Sequence, residues 1–305
     1  MGITIEPKGE ERRMENYPTP PWANELTGDE FISYAATYKV GEYFHLYHKE
    51  IFEVPAIGNM RYYFYDPTEH GYPKDKKYPL LVFLHGTSNS LEGDICINYS
   101  GGELFASPAY QKQMGGAYVL IPLANEYRDT DGSVSGTWHT GEYTKPVVDL
   151  IKTFVKEREQ TIGKKIVMGN SSGATFCFQV VAQDTAFFDG CVPIGTSAIP
   201  EDEVLDEFDA NDVHLFFAIS IHDEFHDFET EIVPRIPRLE QMKHKFLYFP
   251  KWTKNGDGGI SSINFGVEMG QHCLVNSMHA NLMFDDGTPM EERLPQGVIG
   301  WILQV

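Results

Sequence analysis

Short, unbroken apolar runs recur along this chain, with amphipathic stretches between them. YPLLVFLHG (78–86) shows no polar alternation, the pattern of a strand buried on both faces. AYVLIPLA (117–124), KKIVMG (164–169), GCVPIGT (190–196), HLFFAIS (214–220) and KFLYFP (245–250) read the same way. Between them, KPVVDLIKTFVKERE (145–159) and ATFCFQVVAQ (174–183) place apolar residues at helical spacing. EDEVLDEF (201–208) predicts a short acidic helix, IVPRIPRLEQMK (232–243) another, and GVIGWIL (297–303) a closing apolar helix. Upstream, HKEIFEV (48–54) and MRYYFYDP (60–67) are rich in aromatic and β-branched residues, which suits paired antiparallel strands. Strand–helix alternation predicts an α/β fold, a mostly parallel central sheet with helices on both faces. Ligands of such sheets bind outside the carboxyl ends of the strands, so function is to be sought just after the apolar runs.

The alternating pattern occupies residues 49–305, and residues 1–48 read as an N-terminal extension. That extension opens polar and Pro-rich, then carries TGDEFISYAATY (27–38), which predicts a short helix capped at Thr27 or Asp29. A chain of 305 residues fits one large α/β domain with additions, and 42% apolar residues suffice for a substantial core. The formal net charge of −20 changes the picture of partners: such a surface repels phosphate backbones, so nucleic acid is not expected. No apolar run is long enough for a membrane span. The first residues lack a signal-peptide pattern, so the expected location is cytoplasmic, with a secreted protein already freed of its signal peptide as the alternative. Cys177 and Cys191 fall in apolar stretches and read as small core residues, while Cys96 and Cys273 lie near loops. No zinc-ligand spacing occurs; reduced cysteines are expected, with a disulfide involving Cys191 or Cys273 as the alternative.

Four loops follow the apolar runs with chemistry in them. Gly169-Asn170-Ser171-Ser172-Gly173 is a G-x-S-x-G string between a strand and a helix. A nucleophilic serine on so tight a turn needs tiny neighbours two residues away, and the following helix N-terminus favours developing negative charge. The alternative is a helix start with two capping serines. Leu84-His85-Gly86-Thr87 follows the strand LLVFL, where a glycine lets the backbone approach a substrate. Two N–H groups aimed at one oxyanion would come from Thr87 and Ser172. His85 reads as structural, since it precedes the serine. Ser220-Ile221-His222-Asp223-Glu224-Phe225-His226-Asp227 offers a carboxylate to orient a histidine: Asp223 first, then Asp227, then Glu224. Its histidines and acids could instead hold a metal, but a second ligand cluster is lacking. Gly270-Gln271-His272-Cys273 supplies the histidine, with His279 in NSMHANLMF as runner-up.

In this order the loops resemble the α/β-hydrolase superfamily, and more narrowly the prolyl-oligopeptidase-like predicted esterases, feruloyl esterases and polyhydroxybutyrate depolymerases. MRYYFYDP…KKYPLLVFLHG and FFDGCVPIGT add to the likeness, which covers about residues 50–305. Two positions depart from it: Thr87 stands where many relatives carry another Gly, and SIHD where G-x-x-D is commoner. The resemblance implies an α/β-hydrolase fold and a serine carboxylester hydrolase working through Ser171, His272 and Asp223, with no metal or organic cofactor. The short connection between GCVPIGT and HLFFAIS leaves no room for a large cap. An open cleft follows, suited to a bulky or polymer-attached ester, sugar- or aromatic-linked, as in feruloyl or acetyl esterases. Its walls would be Asn125–Thr140 and Lys251–Gln271, with Trp138 and Trp252 as aromatic contacts or, alternatively, packing residues. A serine peptidase or acyltransferase with the same triad, and a non-catalytic binding protein on this scaffold, are the competing functions. Self-association stays open.

Overall fold

The apolar runs join into an eight-stranded sheet. The computed structural model describes residues 32, 37, 41–87, 99–124, 126–128, 134–136, 138, 142–261 and 270–305. Its strands are β1 (His48–Phe52), β2 (Met60–Tyr65), β3 (Tyr78–Leu84), β4 (Tyr118–Pro122), β5 (Glu126–Arg128), β6 (Val134–Gly136), β7 (Ile162–Asn170), β8 (Gly190–Ile194), β9 (His214–Ala218) and β10 (Lys245–Tyr248). The sheet order is β1-β2-β4-β3-β7-β8-β9-β10, while β5 and β6 form a separate two-stranded sheet among the described residues. β1–β2 is antiparallel, as the aromatic runs predict, and β2–β4 is antiparallel too. From β4 to β10 every pairing is parallel.

The helices are α1 (Pro108–Met114), α2 (Thr144–Glu157), α3 (Ser172–Ala182), α4 (Asp202–Ala210), α5 (Ile236–Gln241), α6 (Val275–His279) and α7 (Gly297–Ile302). They cover both faces of the sheet, which is why the central strands carry no polar alternation. On one face Leu80, Val82 and Leu84 pack with Val147 and Ile151 of α2 and with Phe176 and Val180 of α3. On the other, Leu81 and Phe83 pack with Tyr110 of α1, Met278 of α6 and Val298 of α7. The run IVPRIPRLEQMK departs from the expected single helix. A π-helical turn spans Phe228–Ile232, a 3-10 turn spans Val233–Arg235, and α-helix begins only at Ile236. Pro234 and Pro237 cause this, since neither offers an N–H to continue a helix.

Most of the extension, including nearly all of 27–38, lies outside the described residues. Its described part packs onto the domain: Ile32 and Tyr43 are buried in the second core cluster. The buried Glu103 carboxylate accepts the N–H groups of Gly41 and Tyr43. Cys177 and Cys191 are buried free thiols with Sγ atoms 3.4 Å apart, and Cys273 is also buried; Cys96 lies outside the described residues. No described helix is long and apolar enough to cross a membrane.

His85 closes the turn after β3. Its Nδ1 donates to the Gly86 carbonyl at 2.6 Å and its Nε2 accepts the Ala124 N–H at 3.0 Å. Only the neutral ring can do both, and burial pushes its pKa from the ordinary 6.5 down to about 4. The unfolded chain therefore takes up this proton first. The ring's contribution is full above pH 6.5 and is lost as pH falls towards 4, on the order of 3 kcal/mol in all. The stability advantage of the native chain over His85→Gln should shrink across that window in denaturant titrations. Parallel stability–pH curves for the two proteins would contradict a buried neutral ring.

Candidate active site

β7 runs into α3 through Ser171, whose backbone sits at φ 55°, ψ −119°. The region favours glycine, and a serine is strained there. Neighbouring contacts hold it: the Ser171 N–H donates to the Ile194 carbonyl at 3.0 Å, and its carbonyl accepts from Ala174 at 2.9 Å. Gly169 and Gly173 are needed sterically. A Cβ at 169 would run into the Gly173 carbonyl, and one at 173 into the carbonyls of Leu84 and His85. The chain thus packs α3 backbone-to-backbone against the end of β3, and the Ser171 hydroxyl stands clear of the helix. Ser172 is buried in the first turn of α3, where N–H groups lack intrahelical acceptors. Thr87 lies at the exposed end of the turn after β3, one residue beyond the buried Gly86.

The other two loops converge on that hydroxyl. His272 Nε2 lies 3.0 Å from Ser171 Oγ. His272 Nδ1 lies 3.0 and 2.9 Å from the two carboxylate oxygens of Asp223. A carboxylate only accepts, so Nδ1 carries the proton and Nε2 offers its lone pair to the serine. The Asp223 side chain is wholly buried and that of His272 nearly so, which strengthens their bond. Gly195, at φ 70°, lets the chain pass beside the imidazole: a Cβ there would lie 3.1 Å from the His272 carbonyl and 3.6 Å from its ring.

The competing residues are elsewhere. Asp227 caps the turn at Phe228, accepting the Thr230 N–H at 3.1 Å. His279 is buried edge-on between Phe83 and Phe105, with centroids 4.7 and 4.6 Å away, as a core histidine. Glu224 has a different task from the one its sequence position suggests. Its carboxylate accepts the backbone N–H of Gln271 at 3.0 Å and of His272 at 2.6 Å. Burial pushes its pKa above the usual carboxylate range, against the pull of these two donors. The Gln271 side chain completes the fastening: its Oε1 accepts from Thr253 N–H at 2.7 Å and Ser220 Oγ at 3.2 Å, and its Nε2 donates to the Ser261 carbonyl.

The two tryptophans, read in the sequence as cleft contacts or as packing residues, have different surroundings. Trp138 is 1% exposed, stacks on Phe176 at 4.8 Å, and donates its indole N–H to the His85 carbonyl at 2.9 Å. No ring face is left for a substrate, so Trp138 is a packing residue that braces the turn carrying Thr87. Trp252 is half-buried and lies against His222 at 4.1 Å. Phe225, which the motif reading passed over, is 61% exposed with its ring edge-on to His272 at 4.6 Å. Its signal in the sequence was an apolar residue inside a polar turn.

Among the described residues, Asp223, His226 and His272 offer ligand atoms within 4.8 Å of one another. Asp223 and His272 already bond each other, so a cation there would break that pair. The arrangement as it stands suits proton transfer between Ser171 and His272. The elbow's packing gives a direct test. Gly173→Ala should lower stability by about 1–3 kcal/mol, because α3 must move off β3. Thermal unfolding within 1 °C of the native value would contradict that contact.

No family model and no curated protein matches the sequence. Solved structures do match. A thermostable esterase aligns over 77% of this chain with 18% identity and a TM-score of 0.55; this chain spans 61% of that one. A serine-to-alanine variant of the feruloyl esterase module from Clostridium thermocellum, complexed with sinapinate, aligns over 95% of this chain and 99% of its own, with 10% identity and a TM-score of 0.52. With these likenesses and its parallel sheet, elbow and strand-end site, the chain has the α/β-hydrolase fold.

Proposed function

We propose that the chain is a serine carboxylester hydrolase. The observation that carries this reading is the continuous hydrogen-bonded line from Ser171 Oγ through His272 to Asp223, seated on a strained elbow. In the first step His272 Nε2 takes the Ser171 proton while Oγ attacks the ester carbonyl carbon. Asp223 stabilises the imidazolium that forms and holds the ring's orientation. The carbonyl oxygen becomes an oxyanion, held by the backbone N–H groups of Ser172 and Thr87 and favoured by the start of α3. His272 then protonates the departing alcohol, leaving an acyl-serine. Water, deprotonated by the same histidine, hydrolyses it. No step calls on a metal or an organic cofactor. A bulky ester, sugar- or aromatic-linked in the manner of feruloyl or acetyl esters, fits a chain in which α4 is the only helix between β8 and β9, so that no large cap is inserted at that place.

Ser171→Ala should lower kcat on p-nitrophenyl acetate and on a hydroxycinnamate ester by about 10⁴-fold or more, and Ser171→Ala/His272→Ala should be no worse, since the pair works as one unit. Full activity in Ser171→Ala would end the reading, and cleavage of a peptide p-nitroanilide alone would replace it with a peptidase. Glu224→Gln puts an amide NH₂ against a backbone donor and so loosens the histidine loop. Its kcat should drop by about 10²-fold with KM nearly constant. An unchanged kcat would show that the loop holds its place without the carboxylate.

A further inference from the structure

Phe225 is the exposed large apolar side chain of the acid turn, at 61%, whereas Ile221 of the same turn packs against the core. Its position is fixed: its N–H donates to Asp223 Oδ1 at 2.9 Å, so the carboxylate that orients His272 also anchors the backbone carrying this ring. The ring stands edge-on to the imidazole, with centroids 4.6 Å apart and planes at 62°. The polar pair beside it is His226, whose ring lies 5.7 Å from that of His272 and whose Nδ1 is 3.0 Å from Ser197 Oγ. A phenylalanine left in water forfeits most of the gain that burying it would bring. Nothing in the proton-transfer chain needs an aromatic ring at this place. What the place does have is adjacency to the histidine that protonates the departing alcohol.

From this geometry we infer that Phe225 is the platform of a leaving-group subsite that takes the apolar ring of an aryl-bearing alcohol. The inference rests on the hydrolase reading and deepens it, by naming a preference on the alcohol side. In the acylation step, the bond between acyl carbon and alcohol oxygen breaks with its electron pair going to oxygen. That oxygen takes the proton from His272 Nε2, so it must lie within hydrogen-bond reach of the ring that Phe225 flanks. The next carbons of the alcohol then pass over the Phe225 side of the imidazole. A benzyl group there covers the exposed ring, in an edge or offset-stacked arrangement. A short alkyl group does not reach it. The acyl side of the substrate lies across Ser171 from this subsite and makes no contact with Phe225.

The test uses two esters of one acid whose alcohols are of similar acidity, benzyl acetate and ethyl acetate, so that their ratio reads contact and not leaving-group chemistry. The native chain should prefer the benzyl ester in kcat/KM by about tenfold. Phe225→Ala should bring the benzyl-to-ethyl ratio close to one. Phe225→Tyr, which keeps the ring, should hold the ratio within twofold of native. Since Phe225 is exposed, neither change threatens the core. A native ratio near one, or a ratio that Phe225→Ala leaves unaltered, overturns the subsite while the hydrolase reading stands. Inactivity of the native chain on both esters, or activity that survives Ser171→Ala, overturns the reading and the subsite together.

Discussion

Ser171 occupies a backbone region that costs a non-glycine residue about 1–3 kcal/mol. It stays there because Gly173 lets α3 lie backbone-to-backbone on the end of β3, and Gly169 leaves room for the Gly173 carbonyl within the elbow. The rest of the site depends on that contact. It sets where the hydroxyl points, and therefore where a histidine must be to share its proton. It also brings the first N–H groups of α3 next to the turn after β3. The strain is offset by the apolar packing of Phe176 and Val180 beneath the sheet, within one of the two clusters that enclose the central strands.

Much of this was legible in the sequence, for identifiable reasons. Strands enclosed on both faces leave uninterrupted apolar runs, and β3, β4, β7, β8, β9 and β10 all announce themselves that way. The elbow was legible because its sterics admit few residues. The order of the loops then narrowed the acid and the base, and the structure brings Asp223 and His272 to Ser171 while Asp227 caps a turn and His279 fills a core position.

The remaining features were hidden because they depend on contacts between distant segments. Glu224 looked like a poor substitute for Asp223. Its use as an acceptor for the N–H groups of 271 and 272 appears only when two loops far apart in sequence meet. Trp138 stands in the sequence as either a cleft contact or a packing residue; Phe176 and the His85 carbonyl, both distant in the chain, are what draw it inside. The expected helix over 232–243 failed locally: the apolar spacing was right, but two prolines removed donors that the spacing pattern does not register.

Gln271 is fastened through its side chain and its backbone alike. Its side chain grips the Ser261 carbonyl and the Thr253 N–H, while its backbone is gripped by Glu224 on the opposite side. Ser261 and Gln271 are thereby tied to each other, and Gln271 in turn to Ser220 and Glu224 of the acid turn. The backbone that carries His272 is moored to the same turn that carries Asp223. Acid and base are thus fastened to each other through the main chain as well as through their side chains, and the geometry of proton transfer does not rest on the Asp223–His272 bond alone.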